Sequence, residues 1–332
     1  MKKRIWLGMM SGLCLASATA RADAPLPVVV APVAVPTEDL QVDASDAGTA
    51  AVWEALQKGA ISPEEAWQKG LLDAQAVQAG LNTGLAGGED DASKRLRVSL
   101  GGLLVQRAPD VVKDALKQPK AVQLALADYY ASISDEKAVP LYEALLKQAQ
   151  APYEQGLVLC VLGEFWAERK QPQKAQNVFE RGRQVLTGNH PHFAAEMLIR
   201  AARAWTNGEG GDGDKARVLY ARVEKEGDGW MTGMALYDQA QTLLDGGKDA
   251  EARKLLQQPL NVKGTERVRI GLLSLLAFSF QRTGEEKQAV EAAQKAVTAY
   301  QALSISSGAD GGLKWQFERA KEIVAHPTVH SK

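Results

Sequence analysis

The chain has 332 residues, with 39 basic and 40 acidic side chains, a formal net charge of −1 and two cysteines. So even a balance, with no basic stripe, argues against nucleic acid as a partner, and two cysteines in a chain this long exclude a disulfide-built scaffold. No segment approaches the ~20 uninterrupted apolar residues of a membrane-spanning helix.

Residues 1–22 read as a secretory signal. Lys2, Lys3 and Arg4 lead an apolar run from Ile5 to Ala16, and Ala20-Arg21-Ala22 is a small-x-small site that places cleavage before Asp23. This order predicts an exported protein, periplasmic or envelope-associated in a Gram-negative bacterium. Cys14 does not suit lipid attachment, because Leu13 precedes it where a small residue is needed. Removing Lys2, Lys3, Arg4 and Arg21 leaves 35 basic against the 40 acidic residues, a net charge of −5. The one remaining thiol, Cys160, follows Leu159 on a predicted helix and reads as a small buried apolar residue.

Residues 23–49 interleave Pro25, Pro27, Pro32 and Pro36 with Val28, Val29, Val30, Val33 and Val35, the composition of an extended linker. Its valines leave two readings open, a free tether or a strand docked on the rest of the chain. Residues 50–118 are expected to form helical hairpins. Ala55 to Ser62 is echoed by Ala66 to Asp73, each a short helix ended by a glycine and followed by a new N-cap, with Pro63 and Glu65 in the first turn after Ser62. A Gly-rich stretch from Asn82 to Asp91 then precedes helices predicted over Ala92 to Gln106 and Pro109 to Lys117.

The longest region, 119–325, carries an internal repeat. A leucine is followed four residues later by a small residue, three later by a large apolar one and nine later by an alanine. The copies are Leu159, Gly163, Trp166 and Ala175; Leu198, Ala202, Trp205 and Ala216; Leu236, Ala240, Leu243 and Ala252; and Leu273, Ala277, Phe280 and Ala289, the second with two extra residues in its turn. They recur every 36 to 41 residues with no strand pattern between them. Spacings of four and three put the first three members on one helix face, and the small residue lets the next helix come close. Breakers at Gln171-Pro172, Gly208 to Asp214, Gly246 to Asp249 and Thr283 to Glu285 force antiparallel neighbours. A weaker copy around Val122, Leu126, Tyr129, Ala138 and Tyr142 extends the array toward the N-terminus. Leu313, Phe317, Ala320 and Val324 stripe a final capping helix. Residues 326–332 form a tail.

Motifs that carry chemistry are sparse. The Gly/Asp turn from Asn207 to Asp214 has the alternation of secreted calcium turns, but it occurs once and reads as a lengthened loop whose Asp214 caps the next helix. His190 and His192, and His326 with His330, have no cysteine or carboxylate cluster beside them in sequence. A phosphate-binding glycine loop, a Gly-x-Ser-x-Gly elbow and a His-Glu-x-x-His pair are missing. The chain is therefore expected to bind no metal or cofactor and to be no enzyme. An all-helical cell-wall or carbohydrate-active enzyme and a structural subunit of an envelope complex are the alternatives.

The segment Arg282-Thr283-Gly284-Glu285-Glu286-Lys287-Gln288-Ala289-Val290, ending at Ala296, with Leu273, Ala277 and Phe280 before it, resembles the tetratricopeptide repeat. The resemblance covers roughly residues 119 to 303. It implies an all-α, right-handed superhelical solenoid of antiparallel helix pairs, and a scaffold that binds an extended peptide or protein partner in a concave groove. The family's groove positions fall here on Glu164, Glu168, Arg203, Asn207, Tyr237, Gln241, Phe278, Gln281 and Arg282. In that implied groove Arg203 and Arg282 would receive an acidic partner group, with Tyr237 and Phe278 giving apolar contact between them.

Overall fold

A computed structural model describes residues 46–84, 90–207, 212–258, 266–303 and 311–327. The signal and nearly all of the proline-rich segment therefore lie outside the described residues. Among the described residues the chain is all-helical and holds no strand. It divides into two compact units, Met1–Gln150 and Ala151–Lys332.

In the first unit, α1 (Asp46–Gln57), α2 (Pro63–Gln68) and α3 (Ala74–Asn82) precede α4 (Asp91–Arg107), α5 (Pro109–Lys113), α6 (Lys120–Ser132) and α7 (Ala138–Gln148). The sequence punctuation works as expected here. Ser62 accepts from the Glu65 amide and Asp73 from the Ala76 amide, capping α2 and α3. Gly59 and Gly70 take left-handed φ of 68° and 69° where the preceding turns close. The helix expected over Pro109 to Lys117 is broken at Asp114, whose ψ of 33° lies outside the helical region. The last turn, Ala115–Lys117, tightens to a 3-10 helix. α4 is central, packing on α1, α2, α3, α5 and α6.

The weaker repeat copy forms α6 and α7 in this unit, with Val122, Leu126, Ala138 and Tyr142 all buried. Between these helices and α4 lies a buried polar group. Arg97 Nε donates to Asp128 Oδ2 at 3.0 Å, and the Tyr142 hydroxyl donates to Asp128 Oδ1 at 2.9 Å. Pairing of this kind is what makes a buried guanidinium tolerable.

The second unit comprises α8 (Pro152–Glu168), α9 (Pro172–Leu186), α10 (Pro191–Asn207), α11 (Gly213–Glu226), α12 (Gly229–Asp245), α13 (Asp249–Gln257), α14 (Glu266–Arg282), α15 (Glu286–Ala302) and α16 (Gly311–Ala325). Each helix packs on the next in sequence. The even-numbered helices α8, α10, α12, α14 and α16 also pack each on the next of their own set. The repeat residues are the reason. Leu159, Leu198, Leu236 and Leu273, the small residues Ala202, Ala240 and Ala277, and the return-helix alanines Ala175, Ala216, Ala252 and Ala289 are all at most 4% exposed. At Gly163 a Cβ would stand 2.5 Å from Cε1 of Phe179, so the ring of α9 occupies the space that a side chain would need.

The described turns after α8, α12 and α14 share one device. Four residues beyond the large apolar position the backbone turns left-handed, at Gly247 (φ 75°) and Gly284 (φ 79°), and in the first copy at Lys170 (φ 58°). α11 is capped by Asp212, whose carboxylate accepts from the amides of Asp214 and Lys215 at 3.1 Å. This corrects the expectation for Asp214, which instead lies inside the first turn and pairs with Arg217 at 2.5 Å. The rest of that Gly/Asp turn, residues 208–211, lies outside the described residues. His190 and Pro191 stand at the start of α10 as expected, and His192 Nδ1 lies 2.9 Å from Asp228 Oδ2.

Candidate functional site

The nine groove positions all fall on the first helices α8, α10, α12 and α14, and most of their polar groups already have partners within the chain. On α8, Glu164 pairs with Arg200 of α10, which also holds Glu196 at 2.5 Å. Glu168, at the end of α8, is exposed at the surface, and the protein packed around it raises its carboxyl above the ordinary value. On α10, Arg203 Nε donates to Asp238 Oδ2 of α12 at 2.6 Å. Asn207 ends α10, and its side chain lies outside the described set.

On α12, Tyr237 is 3% exposed, and its hydroxyl accepts from Gln316 Nε2 of α16 at 2.7 Å. Burial is the main cause that pushes this phenol up to about 12. Gln241 Nε2 donates to Asp245 Oδ1 at 3.0 Å, while its Oε1 is buried with no donor among the described residues. On α14, the Phe278 ring lies under Arg319 of α16, with the guanidinium carbon 3.9 Å from the ring centroid. Gln281 Nε2 donates to the carbonyl of His326 at 2.8 Å. Arg282 reaches both oxygens of Asp249, at 3.1 and 2.5 Å. Burial opposes ionisation of Asp249, but the hydrogen bonds from Arg282 and Ser279 outweigh it and hold the carboxyl below its ordinary value.

Two consequences follow for the expected groove. Arg203 and Arg282, the residues expected to receive an acidic group, are already bound to carboxylates of their own chain. Tyr237 is not open for apolar contact, since α16 packs over it. The structure thus sets Tyr237 and Phe278 against α16 and Gln281 against His326 just past its end, and ties Glu164, Arg203 and their partners into a row that crosses from α8 to α10 to α12. Arg319 was missed from the sequence, although a signal existed. Gln316, Ala320 and Ile323 carry the spacing of four and three with glutamine in the leucine place, and all three are buried.

No protein-family description matches the chain, and no curated protein matches it. Among the described residues no group of three or more His, Cys, Asp or Glu side chains converges as metal ligands would, and no helix is long and apolar enough to cross a membrane.

Proposed function

We propose that the chain is an exported, non-catalytic scaffold of the tetratricopeptide type that binds an extended peptide or protein partner along the face formed by its first helices. The observation that carries this reading is the row itself. α8, α10, α12 and α14 pack successively on one another, and ion pairs cross the first two of these junctions, from Glu164 to Arg200 and from Arg203 to Asp238. Polar side chains fixed at repeat intervals along a continuous face suit an extended segment, whose own groups recur at regular spacing. In this reading the helix pairs follow a right-handed superhelix with the first helices on its inner side, and the signal at residues 1–22 delivers the protein to the envelope.

The test is capture of partners from an envelope extract on the full chain, followed by affinity measurement with the partner identified. Glu168→Lys, a charge reversal at an exposed place on the row, should change affinity at least fivefold. Lys287→Glu, exposed on the return helix α15, should leave it unchanged. The opposite pattern would move the interaction to the return helices. Export is checked separately by N-terminal sequencing of the secreted protein, which should begin at Asp23.

A further inference from the structure

α16 lies over the C-terminal end of the first-helix row. A helix stacked in the usual way meets the pair before it, and α16 does so through α14 and α15. It also reaches past α14 to α12, where Gln316 Nε2 donates to the Tyr237 hydroxyl at 2.7 Å. The Tyr237 ring gets there across Gly271 of α14, where a Cβ would stand only 3.1 Å from its Cε2. Beside that bond the Arg319 guanidinium covers the Phe278 ring, and just beyond α16 the His326 carbonyl accepts from Gln281. Three expected groove positions, Tyr237, Phe278 and Gln281, are thus taken by the chain's own C-terminal segment.

What holds α16 there is weaker than what holds the helix beneath it. α16 buries three apolar side chains, Leu313, Ala320 and Ile323, whereas α14 buries Val268, Ile270, Leu272, Leu273, Leu275 and Leu276. Gln316 stands in the place of the repeat leucine at 7% exposure, and its Oε1 is buried without a donor among the described residues. Arg319 is half-buried, and among the described residues no carboxylate stands within ion-pair distance of it; burial lowers its pKa, and Glu322 supplies only a longer-range attraction. Both groups pay desolvation while the helix is docked and regain water when it lifts away. The remaining holds are the stack of Phe317 on Tyr300 of α15, 4.2 Å between centroids, and a long bond of 3.4 Å from Ser274 Oγ to the Gln316 carbonyl. An element with few buried apolar contacts is the kind that opens locally while the rest of the fold stays closed.

We propose that α16 is an autoinhibitory helix: it occupies the C-terminal end of the first-helix row, and its release uncovers Tyr237, Phe278 and Gln281 for the partner. This rests on the reading of that row as a binding face, and it adds that the chain carries its own competitor there. The bond between Gln316 and Tyr237 is the latch, because it ties α16 to a helix that is not its stacking neighbour.

Hydrogen exchange on the full chain alone tests release. The amides of α16 should exchange at least tenfold faster than those of α14, with one common opening along the helix. Protection equal to that of α14, or a gradient that only frays from Ala325, would overturn the proposal without recourse to any variant. Tyr237→Phe removes the acceptor of the latch and should speed exchange in α16 at least threefold with α14 unchanged; an α16 that exchanges as before would overturn the latch. Occupancy is tested with a fluorescein-labelled peptide of residues 311–325 added in trans. Ile323 is 2% exposed, so Ile323→Ala loosens the chain's own α16 and should leave the main melting transition in place. The peptide should bind that chain saturably and at least fivefold more tightly than the unaltered chain, while the same peptide carrying Ala320→Arg, altered at a position 0% exposed, should bind neither. No binding to the Ile323→Ala chain, or equal binding to both chains, would overturn the proposal. A peptide that fails beside a captured partner sensitive to Glu168→Lys refutes autoinhibition alone. A peptide that binds beside a partner indifferent to Glu168→Lys refutes the reading of the row and leaves the release of α16 standing.

Discussion

Replacing Gly163 by alanine tests whether close approach of helices is what the repeat encodes. A Cβ there would lie 2.5, 2.7 and 2.8 Å from Cε1, Cδ1 and Cζ of Phe179. Carbon atoms pack best at roughly 3.5–4.0 Å, so the ring must retreat by about 1 Å. Phe179 is only 1% exposed and has no route into solvent. Overpacking of a filled core costs about 1–3 kcal/mol, and the gain in helix propensity from glycine to alanine returns about 1 kcal/mol. The clash is with three ring atoms of a fully enclosed side chain, so we expect a net loss of about 1–2 kcal/mol. For a unit of this size that lowers Tm by roughly 2–8 °C, measured by circular dichroism and checked against the urea midpoint. Gly213→Ala is the control, since nothing lies within 4 Å of a Cβ there. It should be neutral or slightly stabilising. Phe179→Leu should also erase most of the Gly163→Ala penalty in the double variant, because the two residues share one space. A Gly163→Ala protein as stable as the original would refute the claim that Gly163 sets the α8 to α9 distance.

Three further outcomes are expected. Asp128→Ala removes the carboxylate that both Arg97 and Tyr142 address in a buried group and should cost about 3–5 kcal/mol in denaturant titration; a loss under ~1 kcal/mol would mean the group is solvated. The Asp249 carboxyl is depressed in the fold, so its contribution to stability is complete above the unfolded value near ~3.9 and fades as pH falls through the lower folded value. Asp249→Asn should therefore be destabilised at neutral pH and lose less stability than the original on acidification below about pH 4, and parallel pH profiles would contradict this. Ala289→Leu, at a position 0% exposed, should cost about 1–3 kcal/mol, whereas Lys287→Leu, exposed two residues earlier, should be nearly silent by thermal melts; equal effects would mean the helix faces are misplaced.

The repeat was legible because it is written in small and large residues whose burial depends on spacing alone. Leu273, Ala277 and Ala289 have to face inward whatever surrounds them. The turns were legible where glycine stands at the left-handed position, as at Gly247 and Gly284, and less so at Lys170, where nothing in the residue type announces a positive φ. Capping of α11 was misread by two residues. In an acidic, Gly-rich turn the cap is the residue whose backbone leaves the helix, here Asp212 with ψ of 94°, and two aspartates offer the same side chain for the role. Polar partners were the least legible. The carboxylate that Arg203 meets is 35 residues away, and sequence shows a charge without showing whether the fold has already answered it. Arg319 was hidden for a related reason, since Gln316 replaces the leucine that would have marked α16 as one more first helix.

The central claim is that the first-helix row is the binding face, and hydrogen exchange on the full chain with and without its captured partner tests it most directly. The account predicts slowed exchange in segments from α8, α10, α12 and α14, with α9, α11, α13 and α15 unchanged. Protection confined to the return helices would contradict it.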